Sequence, residues 1–188
     1  MIAVYATAPL LLVALACVRH PNPSRQHLGL LLVGFAGSWL GGTLFWGWCR
    51  EYPLWHLPIE AFALPLAIGG LGTRWRIGAW FYLSSLLGTA LTDGMIAFTG
   101  LMPFWPPVVQ ASPDAAAALL QEAARTLVQP SSLLLLALAG ALILQLCRQL
   151  QAGDEARRVA AATLACTLLV DGVFLGVALL APRLSGLI

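Results

Sequence analysis

The chain has 188 residues, of which 60% are hydrophobic and 10% are charged, with a net charge of +2. Soluble domains carry about 25% charged residues. So few charges cannot coat a water-facing surface, so an ordinary soluble fold and a disordered chain are both excluded. Nucleic-acid binding is not expected either, because no Arg cluster exceeds two adjacent residues. All the basic residues are Arg and Lys is absent, which we read as genome composition rather than function. The mean hydropathy of +0.85 leaves a membrane protein, with the lipid bilayer as its surroundings.

A hydrocarbon core about 30 Å thick takes roughly 20 apolar residues in helical form. Runs of that kind predict an all-α polytopic bundle of about six spans in one integral membrane domain, 1–188. The spans are about 2–18, 28–48, 57–71, 77–102, 131–147 and 159–180. A β-barrel does not fit, because the runs are continuous and do not alternate.

The first run can be compared with a signal peptide. No positive charge precedes it, the first being Arg19. Ala14-Leu15-Ala16-Cys17 has Ala where a lipoprotein cleavage site usually has Leu. A retained transmembrane helix is the expectation. The second span carries Gly34, Gly37, Ser38, Gly41 and Gly42 at small-xxx-small spacing. Such residues let helix backbones approach closely, either inside the bundle or against a partner helix.

The third span is short and holds Pro58 and Pro65, which predicts a kink or a partly re-entrant course. Glu60 lies near its start, with His56 four residues earlier. With Pro58 at the first helical position, Glu60 would favour the helix dipole as a capping residue. The alternative is that His56 and Glu60 share a proton at the outer edge of the membrane.

The fourth span carries Ser85, Thr89 and Asp93, and the sixth carries Thr163, Thr167 and Asp171. Both acids precede Gly, and both lie about nine residues from the outer end of their span, roughly 14 Å deep. The i, i+4, i+8 spacing puts each hydroxyl pair and its acid on one helix face. Leu66–Gly70 and Leu136–Gly140 share a Leu-Ala-x-x-Gly pattern before these spans. Together they suggest a parallel repeat of helical hairpins, as in transporters whose sites lie at repeat interfaces. Between the fourth and fifth spans, Pro103-Phe104-Trp105-Pro106-Pro107 opens the longest loop. An amphipathic interfacial helix is expected at about 113–128, with Ser112 as its cap, either shielding the bundle or gating it.

Arg placement sets the expected orientation. Arg19, Arg25, Arg74, Arg76, Arg148, Arg157 and Arg158 fall on one side, and Arg50, Arg125 and Arg183 on the other. The positive-inside rule then puts both termini on the non-cytoplasmic side. Trp46, Trp48, Tyr52, Trp55, Phe104 and Trp105 gather at the outer interface, and Trp75 and Trp80 at the inner one.

Cys17, Cys49, Cys147 and Cys166 form no Cys-x-x-Cys and imply no disulfide framework. No metal-ligand spacing, phosphate loop or nucleophile elbow is present, so no metal, cofactor or catalytic set is predicted. The chemistry rests on the three intramembrane acids. A carboxylate in hydrocarbon costs several kcal/mol when ionised, so such residues are functional candidates. No Arg lies well inside a span, so unless a loop Arg such as Arg50 reaches in, the acids are expected to be protonated, hydrated or paired with a bound cation. The structural alternative is a protonated Asp bonded to a neighbouring helix.

The segment Glu51-Tyr-Pro-Leu-Trp-His-Leu-Pro-Ile-Glu-Ala-Phe, with Leu91-Thr-Asp-Gly and the later Pro-Phe-Trp stretch, resembles a family of small uncharacterised integral membrane proteins best known from cyanobacteria. The resemblance covers most of the chain and is densest from Glu51 to Pro107. It implies a plasma or thylakoid membrane and no particular activity. Size and span count are also similar to the substrate-binding subunits of energy-coupling-factor vitamin transporters. Those subunits keep their termini in the cytoplasm, opposite to the Arg distribution here, and no vitamin-site motif matches.

The leading expectation is transport or binding of a small solute, cation or proton. Asp93 and Asp171 would form the site, lined by Ser85, Thr89, Thr163 and Thr167, with His56 and Glu60 as the outer proton-exchange pair. The alternative is a non-catalytic assembly factor or accessory subunit held by other membrane subunits. A membrane enzyme using His56 and Glu60 as base and acid comes third, because no nucleophile or metal set joins them.

Overall fold

The computed structural model describes residues 2–184, and every regular element among them is helical. In chain order these are α1 (Ile2–Tyr5), α2 (Thr7–Val18), α3 (Pro23–Leu44), α4 (His56–Glu60), α5 (Leu64–Gly70) and α6 (Arg76–Phe98). Next come α7 (Trp105–Gln110), α8 (Pro113–Leu127), α9 (Pro130–Gln151) and α10 (Glu155–Leu180). Four helices are long and apolar enough to cross a membrane: Pro23–Cys49, Arg76–Phe98, Pro130–Gln151 and Glu155–Leu180. The remaining two of the six expected spans fall short of that length. Ala3–Val18 is a shorter apolar helix. Pro53–Gly70 is broken into a 3₁₀ turn, α4, a second 3₁₀ turn at Ala61–Ala63, and α5. Proline explains the break, since it lacks an N–H and its ring collides with the carbonyl four residues back.

Helix ends follow local chemistry. Asn22 caps α3 by accepting from Ser24 N at 2.9 Å, with Pro23 in the first turn. Asp154 caps α10 by accepting from Arg157 N at 3.1 Å. Ser112 precedes α8 but makes no side-chain cap bond. The predicted fourth span runs to 102, whereas α6 stops at Phe98. Gly100 takes φ 74°, and Leu101 N then bonds back to Ile96 O, a glycine-ended helix terminus.

The helices pack in the order α2, α3, α6, α10, α9. Glycine sets the closest crossing. A Cβ on Gly34 would lie 2.2 Å from Gly78 O, and one on Gly78 2.4 Å from Leu30 O. The glycines of α3 therefore pack inside the bundle: Gly29 on α2, Gly34 on α6, Gly37 on Tyr82, and Gly41 on Glu60.

The broken segment lies antiparallel to α6. His56 meets Asp93, Glu60 meets Thr89, and Gly70 meets Ala79. Asp93 to Ala79 corresponds to about 20 Å of helix, so the segment follows α6 through most of its length. The two hairpins of the suggested repeat thus differ: the first has a broken descending arm, and the second is continuous.

Arg76 pairs with Asp154, and His27 Nδ1 lies 2.9 Å from Glu155. These contacts gather the starts of α3, α6 and α10 at the Arg-rich end. At the opposite end, Trp105 Nε1 donates to Arg50 O at 2.7 Å. The amphipathic α8 lies across this end and buries Ala116, Ala117, Leu120, Ala123 and Ala124. Leu134, Leu138 and Leu142 point outward along α9, as a lipid-facing stripe requires.

Candidate functional site

Helix α6 carries the polar centre because neighbours cover two of its faces. One face meets α3, α4 and α5, and the other meets α10. Thr92 and Asp93 are consecutive, so they project about 100° apart and serve different faces.

On the first face, His56 stands between two acids. Its Nδ1 is 3.0 Å from Asp93 Oδ1, and its Nε2 is 3.3 Å from Glu60 Oε1. The three side chains are only 14–18% exposed. Glu60 Oε2 accepts from Thr89 Oγ1 at 2.7 Å. The His56 ring stacks on Phe45, which is fully buried, at 4.2 Å between centroids, and Trp105 flanks it at 6.2 Å. Gly41 allows this approach, because a Cβ there would come within 2.9 Å of Glu60 Cα.

This geometry constrains protons. A neutral imidazole has one N–H and one lone pair, whereas both ring nitrogens here face a carboxylate oxygen. Either the ring is an imidazolium donating twice, or one carboxyl carries the proton and donates to the ring. The arrangement can therefore hold one proton either on the ring or on one of the two carboxyls.

On the second face, α6 and α10 pack side by side in the same direction. A Cβ on Gly88 would be 2.7 Å from Thr167 Oγ1, and Thr92 Oγ1 donates to Asp171 Oδ2 at 2.7 Å. This register sets Asp171 level with Thr92, so Asp93 and Asp171 share a depth on different faces. Asp171 and Thr92 border a cleft of about 370 Å³ among α6, α9 and α10, roofed by α8.

The predicted site residues therefore separate into two groups. Asp93 joins His56, Glu60 and Thr89, so the outer pair and one acid form a single set. Asp171 turns to Thr92. Thr163 Oγ1 donates to Val159 O, and Thr167 Oγ1 to Thr163 O. Ser85 contributes its carbonyl, at 3.4 Å from Thr89 Oγ1. These three thus reach no acid in the structure. The capping role considered for Glu60 is not realised: α4 begins at His56, and Glu60 is its last residue. Instead, the i,i+4 spacing within α4 brings Glu60 to the His56 ring.

Thr92, Phe45 and Tyr82 were not legible as site residues. Tyr82 lies seven residues before Thr89, on the same helical face, which was the available signal. Its hydroxyl donates to Glu60 O and accepts from Ala63 N at 3.1 Å. Among the described residues no group of three or more His, Cys, Asp or Glu is arranged to hold a metal.

An all-helical chain with four membrane-length apolar helices and a partly buried histidine–carboxylate set has the architecture of a multi-pass membrane protein. Residues 1–179 match the family described as Protein of unknown function (DUF3120), and the chain belongs to that family. Neither a curated protein nor a solved structure matches it.

Proposed function

We propose that this chain binds or transports a small solute or cation and exchanges protons through His56, Glu60 and Asp93. The observation that carries the reading is the position of His56. It bridges an acid on the broken segment and an acid on α6, beneath Phe45 and Trp105. Broken helices beside buried ionisable groups are how many transporters build their sites. The packing of the α3 glycines within the chain supports the internal use of that stripe.

We further propose six passes, counting Ala3–Val18 and the broken segment. Its antiparallel course along α6 supports this count. The gathering of Arg19, Arg25, Arg74, Arg76, Arg157 and Arg158 near the α3, α6 and α10 starts supports a cytoplasmic position for that end. Both termini then lie on the non-cytoplasmic side. The resemblance to a cyanobacterial family supports a plasma or thylakoid membrane.

Liposomes containing the purified protein and a trapped pH-sensitive dye test the proposal. An imposed pH gradient should collapse faster than in empty liposomes. His56→Gln and Asp93→Asn should slow that collapse at least several-fold at equal incorporation. Wild-type liposomes no faster than empty ones, or variants as fast as wild type, would refute it.

A further inference from the structure

The cleft beside Asp171 lies outside the proton-sharing set. We propose that it binds a lipophilic organic cation, an apolar body carrying one ammonium group, with Asp171 as its counter-ion. The inference deepens the reading above by naming the solute class.

Volume is the first argument. About 370 Å³ falls in the range that encloses small organic ligands, roughly 300–1,000 Å³. The second is the wall, where Leu91, Met95, Val108, Leu120, Ile143 and Leu164 offer apolar surface. A sugar or polyol would find too few partners there for its hydroxyls.

Free hydrogen-bonding capacity is the third argument. The hydroxyl protons of the cleft are already committed: Thr92 to Asp171, Thr99 to Met95 O, and Thr167 to Thr163 O. Asp171 accepts only from Thr92, so its carboxylate retains acceptor sites. Among the described residues no Arg or His lines the cleft, so they supply no charge to neutralise an ionised Asp171. The complement is an apolar molecule with a positive, donating end, and an anion is excluded by its sign. A lipid acyl chain would satisfy the walls but bring nothing to Asp171.

The outer roof suits this role. Helix α8 turns Leu120, Ala123 and Leu127 toward the cleft and keeps Asp114, Glu122 and Arg125 exposed. Gly140 borders the cleft, and a Cβ there would meet nothing within 4 Å. A larger side chain at Gly140 therefore grows into open space without displacing backbone.

The test uses the full chain in phosphatidylcholine nanodiscs, with empty discs measuring partition into lipid. The probes are 1-adamantylamine and its neutral analogue 1-adamantanol, followed by equilibrium dialysis. Saturable amine binding is expected, at least ten-fold tighter than the alcohol. Asp171→Asn should weaken it ten-fold or more, Gly140→Leu should block it, and Tyr52→Phe, at an exposed side chain outside the cleft, should leave it within two-fold. Equal affinity for amine and alcohol, unchanged affinity in Asp171→Asn or Gly140→Leu, or no binding above empty discs would overturn the inference. Absent amine binding with intact proton flux removes this site and leaves the proton-exchange reading standing. Asp171-dependent binding without proton flux does the reverse.

Discussion

Gly34→Ala should loosen both the bundle and the site. The new Cβ would meet Gly78 O at 2.2 Å and Gly78 Cα at 2.8 Å, whereas ordinary contact begins near 3.4 Å. Both obstructing atoms are backbone, so no rotamer change relieves them. Helices α3 and α6 must part by about an ångström or more. Overpacking of this kind costs about 1–3 kcal/mol. Exchanging Gly for Ala inside a helix returns up to about 1 kcal/mol, which leaves a net loss of up to about 2 kcal/mol, at the upper end here because backbone atoms cannot give way. Gly140→Ala is the matched control, because its Cβ meets nothing within 4 Å and only the helix gain applies. Thermal unfolding in one mild detergent should rank Gly140→Ala at or above wild type, and Gly34→Ala below it. Proton flux should follow the same order, since α4 is seated between α3 and α6 and carries His56. A Gly34→Ala protein as stable as wild type would refute the close-crossing argument.

Gly88→Ala should destabilise by crowding Thr167 Oγ1 at 2.7 Å, and adding Thr167→Ala should restore much of the loss. Melting curves of the four proteins should give a coupling of about 0.5–3 kcal/mol. Thr89→Val removes the donor to Glu60; it should cost on the order of 0.6–1.7 kcal/mol, while Thr89→Ser melts near wild type. Asp154→Ala should lose about 1 kcal/mol with the α10 cap and up to about 1 kcal/mol more with the Arg76 pair, whereas Asp154→Asn should keep the cap and lose only the pair, as read by denaturant-induced loss of helical signal. Tyr82→Phe should lower the melting temperature more than Tyr52→Phe, because only the Tyr82 hydroxyl bridges Glu60 and Ala63.

Hydrophobic run length made the four long helices legible, because each is one unbroken helical run, the first changing from α to π bonding at Phe45. The same signal overstated the fourth span, where Gly100 ends α6 before the apolar run does. The amphipathic α8 was readable from its two faces alone. The pairing of the acids was not, because helical spacing fixes which residues share a face and says nothing about which helix covers it. Ser85, Thr89 and Asp93 do share a face, and that face looks toward α4. Asp171 looks toward α6 but meets Thr92, a residue outside the predicted stripe. The His56–Glu60 pair was legible by spacing, although Pro58 obscured where the helix starts. Starting α4 at His56, one residue after the 3₁₀ turn, is what makes the i,i+4 contact real.

The break in the third segment and the acid set on α6 are parts of one arrangement. An interrupted helix in a membrane leaves backbone groups that water cannot reach, and each costs several kcal/mol if unpaired. Here the interruption at Ala61–Ala63 faces Tyr82, whose single hydroxyl serves Glu60 O on one side and Ala63 N on the other. The residue whose carbonyl is satisfied in this way is the same Glu60 whose carboxylate holds Thr89 and His56. Fixing the backbone at Glu60 also fixes the height of its side chain against α6, and thereby the height of the His56 ring one turn earlier. A straight helix through Pro53–Gly70 would need no Tyr82 at this point. Helix α5 packs Gly70 against Ala79 while α4 keeps His56 under Phe45. The break separates a half that packs Gly70 on α6 from a half that carries His56 and Glu60, and Tyr82 bonds across the joint between them.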